Sequence, residues 1–244
     1  MQGNNINIHH STARLLEENI LFEDNHIIII NKLPSQIVQG DKTGDKPLSD
    51  LVKEYIKVKY NKAGEVFLGV VHRLDRPVSG AVIFARTSKS LTRLNALIKN
   101  REINKTYWAV VKNKPPKEKD TLVNFLRRDE ARNKSFISGD NSKNSQMASL
   151  SYTLIASSDN YYLLEIDLQT GRHHQIRAQL AGIGCPIKGD LKYGFDRSNS
   201  DGSIHLHARK LTFNHPVTLK LLSIIALPPN DPVWNYFIQN SNNF

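Results

Sequence analysis

A single cysteine, Cys185, stands in the 244 residues. An intrachain disulfide and a thiolate metal cluster are therefore excluded, and a reducing compartment, the cytoplasm, is the fitting one. Long apolar runs are missing too. Stretches such as Ile27–Ile30 are strand-sized, far below the roughly 20 residues of a membrane-spanning helix. The polar start MQGNNINIHHSTARLLEEN has no signal-peptide core. The sequence offers no glycine-rich phosphate loop, no cluster of metal-ligating side chains and no internal repeat. Acidic residues are in deficit: 23 Asp and Glu against 33 Lys and Arg leave a net charge of +10. That imbalance favours an anionic partner such as nucleic acid. What remains is a chain of ordinary apolar content, expected to be soluble and long enough for one large domain or two modest ones.

The densest polar knot is GVVHRLDRPVSGAVIFART, residues 69–87. Val70 and Val71 lead into His72, Arg73, Asp75 and Arg76; Pro77, Ser79 and Gly80 turn the chain, and Ala81–Phe84 runs on as a second strand. A short strand thus delivers one carboxylate into a ring of cations. Such a carboxylate suits a nucleophile acting on an anionic substrate. A salt-bridged surface loop is the plainer reading of the same residues.

Around this knot the chain alternates strands and helices. ILFEDNHIIIINK reads as two strands about an Asp24-Asn25 turn, ending on Lys32 as either a solvated strand end or an RNA contact. Leu48, Leu51, Val52 and Tyr55 space a helix that has Pro47 at its first turn, and Leu91, Leu94 and Ile98 space another after Thr87. KTYWAVVKN reads as a strand. Residues 113–147 turn polar and charged, with brief hairpin strands at Leu122-Val123, Phe125-Leu126 and Phe136-Ile137, and form the candidate mobile, RNA-facing insertion. In TGRHHQIRAQLAGIGCP, Thr170 or Gly171 is expected to cap a helix that buries Ile176 and Leu180. A helix start carrying Arg172, His173, His174 and Gln175 suits phosphate and ribose. Adjacent histidines do not share a helix face, which argues against a metal site there.

HRLD followed three residues later by Ser-Gly and an apolar strand resembles the catalytic motif of the RluA family of RNA pseudouridine synthases. Four more family motifs follow in order. They are Lys105-x-Tyr107-x-Ala109, then Gly171-Arg172-x-His174-Gln175-Ile176-Arg177, then GDLKYG from Gly189, then LHARKLTFNHP from Leu206. The resemblance spans residues 20 to 238, with Val78 and His173 in place of the usual Thr and Gln179 where His is frequent.

The resemblance implies an isomerase that converts uridine in ribosomal or transfer RNA to pseudouridine, with no cofactor and no metal. It implies an α+β fold, a mixed but mostly antiparallel bent sheet with flanking helices and a central active-site cleft. One catalytic domain is expected over residues 19–244, after a weakly ordered lead-in at 1–18 and with no N-terminal RNA-binding module; a monomer is the default, with no membrane association. Asp75 inherits the nucleophile's role, Tyr107 that of the uracil-stacking residue, and Arg177 that of the partner of Asp75. His72, Arg73, Arg76, Arg172, His174 and Gln175 are the RNA-binding candidates, with Arg73 filling the space of a flipped base. Two other readings stay open. A protein of this fold without activity would serve as an RNA-binding chaperone, and a nucleoside hydrolase using Asp75 would want a second carboxylate that no nearby motif supplies.

Overall fold

Ile20–Glu23 (β1) and Ile27–Lys32 (β2) form an antiparallel hairpin. Its turn is closed by Asp24, whose carboxylate accepts the His26 and Ile27 backbone N–H groups at 2.7 and 2.8 Å. This computed structural model describes residues 16–139 and 144–240. Most of the expected lead-in, residues 1–15, lies outside the described residues, as do 140–143 within the expected insertion. The chain falls into two compact units, one of Met1–Ile103 with Thr212–Leu227 and one of Asn104–Leu211 with Pro228–Phe244.

In the first unit β2 pairs antiparallel with β4 (Ser79–Ala85), which also pairs with the two-residue strand β3 (Gly69–Val70). Every residue of β4 is buried, which is why it reads as an unbroken apolar run rather than an alternating one. Helix α1 (Leu48–Lys59) buries Leu48, Val52 and Tyr55 of the stripe its spacing predicts, adds Ile56, and leaves Leu51 half-buried. The sequence places Pro47 in the first turn of this helix; the structure places it one position earlier, at the N-cap. Helix α2 (Ser88–Lys99) is capped by Thr87, whose Oγ1 accepts the Ser90 N–H at 3.1 Å.

The second unit is built on antiparallel strands in the order β5 (Asn104–Val111), β9 (Tyr162–Leu168), β8 (Ser145–Ser157), β6 (Lys119–Asp129), β7 (Lys134–Ser138). Strand β10 (Leu206–Asn214) starts in this unit beside β5 and ends in the first unit, where β11 (Leu221–Ile225) pairs with it. Helix α3 is Gln175–Gly182, a 3₁₀ turn follows at Leu191–Tyr193, and α4 closes the chain at Pro232–Asn240. Asp231 accepts the Val233 and Trp234 N–H groups at the start of α4 and also accepts His205 Nε2 at 2.9 Å. Trp234 and Phe237 then pack on Trp108, Val110 and Leu163. The class is α+β, as expected.

Segment 113–147 departs from expectation in detail. Leu122-Val123 and Phe125-Leu126 belong to one strand of 11 residues, β6, rather than to two brief pieces, whereas Phe136-Ile137 does lie in a short hairpin strand, the five-residue β7 paired with β6. Along β6 Lys119, Thr121, Val123, Arg127 and Arg128 are exposed and only Leu126 is buried, so the strand imitates a loop in composition. Leu126 and Ala148 from these strands pack against Ala178 of α3 and Tyr193. No helix among the described residues is long and apolar enough to cross a membrane.

Candidate active site

The first unit holds His72, Arg73, Asp75 and Arg76 on the link between β3 and β4. Leu74 is buried and anchors the link, so Arg73 faces solvent while Asp75 is half-buried. A turn follows at once, closed by the Val78 N–H on the Asp75 carbonyl at 3.0 Å. Val78 is itself buried at 2% exposure, so an apolar side chain where the family has Thr is a packing substitution. His72 Nε2 accepts the Ile83 N–H at 3.2 Å, which ties its ring to β4. The Arg76 guanidinium turns to the preceding loop and bonds Asp45 and Thr43, with Asp41 close by. That hydrogen bond from Arg76 is the main reason the Asp45 carboxyl is held below its usual range.

Lys32 is neither a solvated strand end nor an exposed RNA contact. It is completely buried, at 0% exposure, and its Nζ donates to the carbonyls of Leu33, Gln36 and Arg76 at 3.0, 2.9 and 3.2 Å. Three converging carbonyls satisfy all three N–H groups of an ammonium, and that is what permits the burial.

The second unit holds Tyr107, Arg172, His174, Gln175 and Arg177. Tyr107 is 7% exposed on β5, opposite Ile166 of β9. Two residues before it, on the same side of the strand, burial pushes the Lys105 ammonium down. Arg177 forms a bidentate pair with Asp190, Nε to Oδ2 at 2.7 Å and Nη2 to Oδ1 at 2.8 Å, and both side chains are buried. Its guanidinium carbon also lies 5.0 Å from the centre of the Tyr193 ring. Asp190 and Tyr193 come from the GDLKYG string, to which sequence reasoning gave no role. Gly189, at φ +87°, is needed there: a Cβ would meet the Ser203 carbonyl oxygen at 2.7 Å.

The approach to α3 differs from expectation. The helix starts at Gln175, with His174 at the N-cap in the left-handed region (φ 52°, ψ 26°) and no side-chain cap. Thr170 and Gly171 do not cap it, because the chain first makes the turn in which the Gln175 N–H meets the Arg172 carbonyl. Gln175 is buried and its amide is engaged within its own surroundings. Oε1 accepts Thr170 Oγ1 at 2.7 Å and the Arg172 N–H at 3.0 Å, while Nε2 donates to the Ser149 carbonyl at 3.0 Å. Arg172 Nε donates to the Met147 carbonyl. Tyr193 Oη stands 3.1 Å from both the Ser135 carbonyl oxygen and His174 Nδ1, and accepts the Ser135 N–H at 2.8 Å. Burial first, then the charges of Arg177, His173, Lys192 and Arg128, push His174 down to about 2. His173 stacks on His174 with ring centres 3.8 Å apart and meets Ser135 and Asn133 on the β6–β7 hairpin. Gln179 joins α3 to β6 through the Leu122 carbonyl and Asn124 Oδ1. Two departures from the family pattern thus have structural roles.

Comparison with known proteins gives these residues their context. Residues 26–182 match the family model for RNA pseudouridylate synthase. The RNA pseudouridine synthase YhcT of Bacillus subtilis is 33% identical over 221 residues, covering 88% of this chain and 70% of that one. The ribosomal large subunit pseudouridine synthase C of Rickettsia bellii is 31% identical over 219 residues, covering 89% and 70%. Among solved structures, human RNA pseudouridylate synthase domain containing 4 aligns with a TM-score of 0.79 at 24% identity, over 94% of this chain and 95% of that one, which shows a common fold. The chain belongs to the RNA pseudouridylate synthase family, in its RluA-type branch, and is an RNA-modifying isomerase.

Proposed function

We propose that the protein isomerises specific uridines of ribosomal or transfer RNA, with Asp75 as the nucleophile and Tyr107 and Arg177 completing the catalytic set. The observation that carries this reading is the buried, bidentate clamp of Asp190 on Arg177, which fixes the plane of a guanidinium in this chain's RHHQIR string. A guanidinium held so firmly is suited to orient a carboxylate, and Asp75 is the carboxylate we assign to it. Ribosomal RNA is favoured by the names of relatives such as the ribosomal large subunit synthases C and D.

In the proposed reaction the target uridine leaves its stack, at a cost of roughly a few kcal/mol. Arg73, exposed and planar, takes up the vacated space. The Asp75 carboxylate assists departure of the base from the ribose anomeric carbon. The freed uracil turns and rejoins that carbon through a ring carbon, which sheds its proton as the former glycosidic nitrogen gains one. Tyr107 stacks on the uracil, and its hydroxyl takes part in the late proton removal. Nothing is oxidised and nothing is transferred to a second substrate, so the chemistry calls for no cofactor or metal. His72, Arg76, Arg172, His174 and Gln175 shape the RNA-binding surface, the last two by holding the turn before α3. Segment 113–147 faces the RNA and biases the choice of site. Residues 19–244 act together as one catalytic domain, as a monomer in the cytoplasm.

Incubating the purified protein with ribosomal and transfer RNA transcripts, followed by nucleoside analysis, tests the reading. Pseudouridine is the expected product; released uracil would mark a hydrolase, and unaltered RNA bound by the protein would mark a chaperone.

A further inference from the structure

We propose that the open face of the β6–β7–β8 sheet, on the side away from α3 and Tyr107, is a second RNA contact that takes unpaired bases flanking the target uridine. The proposal rests on the reading of the protein as an enzyme of RNA and does not depend on the assignment of Asp75.

Pairing across the strands fixes which residues share that face. Val123 stands opposite Ser149, Phe125 opposite Met147 and Ser138, and Arg127 opposite Ser145 and Phe136. None of these is buried: Val123 is 57% and Met147 44% exposed, and both phenylalanine rings are half-buried. The alternate positions Leu126, Ala148 and Leu150 point the other way and are buried, the first two against Ala178 of α3. Tyr107 shares their side, through its pairing with Ile166 and that of Ile166 with Tyr152. Helix α4 packs on the open face around Trp108, Val110 and Leu163. Farther along, the row Asp167, Ser151, Thr121 is polar, as a solvated strand face should be. The next rows break that rule: Val123, Phe125, Phe136 and Met147 form an apolar group in contact with solvent.

The charges around this group select its occupant. Arg127 is exposed between the two rings, opposite Phe136 and two residues from Phe125 on the same face. Lys134 Nζ lies 5.3 Å from the centre of the Phe136 ring. Arg172 reaches the group from the far side: β9 ends at Leu168, and beyond that end Arg172 Nε donates to the Met147 carbonyl at 3.0 Å. The carboxylates Asp129 and Asp167 stand at the two ends of the face, away from its apolar rows. Aromatic rings set among guanidinium and ammonium groups stack bases and hold phosphates together, and a flat platform of this kind fits a splayed single strand rather than a duplex. Arg172 also belongs to the turn before α3, so it makes the face continuous with the RNA-binding candidates His174 and Gln175.

The test compares Phe125→Ala, Phe136→Ala and the double variant with wild type, all as the full chain. Filter binding gives affinity for ribosomal RNA transcripts and for a fully paired RNA duplex; isomerisation of the transcripts gives kcat and KM, and thermal melts check folding. Each ring removed is expected to weaken transcript binding by about 10-fold, with the loss carried by KM rather than kcat and duplex binding unchanged. Cross-linking with 4-thiouridine-substituted transcript is expected to mark the peptides that carry Phe125 and Phe136. Wild-type affinity and KM in the folded double variant would overturn the proposal; if that variant also ran as a monomer where wild type ran as a dimer on gel filtration, the face would belong to a second copy of the chain. An equal loss on the duplex, or a loss in kcat at constant KM, would overturn it too. A wild-type protein that neither binds nor modifies any RNA would overturn the RNA-enzyme reading, and this proposal with it. Should the phenylalanine variants not fold, Met147→Glu takes their place: a carboxylate on this exposed position is expected to weaken transcript binding at least as much, and unchanged binding would overturn the proposal.

Discussion

His174 makes the stability of the second unit sensitive to mild acid. Its imidazole is 8% exposed, bonded to Tyr193, and surrounded by the charges of Arg177, His173, Lys192 and Arg128. Folding therefore lowers its pKa from 6.5 to about 2. A folded-state pKa below the unfolded one contributes stability that is fully present above the unfolded value and is lost as pH falls toward the folded one. Between pH 6.5 and about 2 the unfolded chain holds one proton that the folded chain does not, so stability falls by about 1.4 kcal/mol per pH unit. From pH 6.5 down to about 4.5 the loss from this group is on the order of 2 kcal/mol. Urea unfolding of wild type and His174→Gln across pH 7.5 to about 4.5 isolates it, because the burial-lowered His205 titrates in both proteins and cancels. The wild-type stability should converge on that of the variant, or pass below it, by the stated amount. Parallel curves would show that His174 takes up its proton as readily folded as unfolded, and would refute the argument.

Three further outcomes follow from the contacts. Phe237→Ala should cost about 3–5 kcal/mol in denaturant unfolding, because the ring is fully buried in the cluster with Trp108 and Trp234 and leaves a cavity; a loss below about 1 kcal/mol would mean that α4 docks without it. Asp190→Ala should lower stability by about 3 kcal/mol and abolish most activity, while Asp190→Asn, which keeps one acceptor, should lose less of both; equal behaviour of the two variants in urea melts would contradict the bidentate argument. Asp45→Asn should leave stability close to that of wild type, since the pair with Arg76 is largely exposed, yet should tighten RNA binding and steepen its salt dependence by releasing that guanidinium. A filter-binding series in salt reads this, and unchanged affinity would remove Arg76 from the RNA-binding surface.

The strands that are buried on both faces were legible because their apolar runs need no context: Ile27–Ile30 and Ala81–Phe84 sit where the sequence places them. Strands β6 and β8 were underestimated because one face carries Lys, Arg, Ser and Thr, and composition then resembles a loop. The turn before α3 was misread for a different reason. Thr170 and Gly171 are good capping residues, but the left-handed conformation of His174 and the inward bonds of Gln175 delay the helix to residue 175. Lys32 could not be read locally at all. Its burial depends on the Arg76 carbonyl, 44 residues away. The Asp190 clamp on Arg177 is nearer, 13 residues off, but the GDLKYG string was legible only as a motif and gave no sign of the residue it holds.

The central claim is that Asp75 performs uridine isomerisation. Pseudouridine mapping of total RNA from cells carrying either the wild-type protein or Asp75→Ala tests it most directly. The account predicts that one or a few uridines, in ribosomal or transfer RNA, lose their modification with the variant while the rest of the map stays the same. An identical map in both cells, with both proteins folded and expressed, would contradict it.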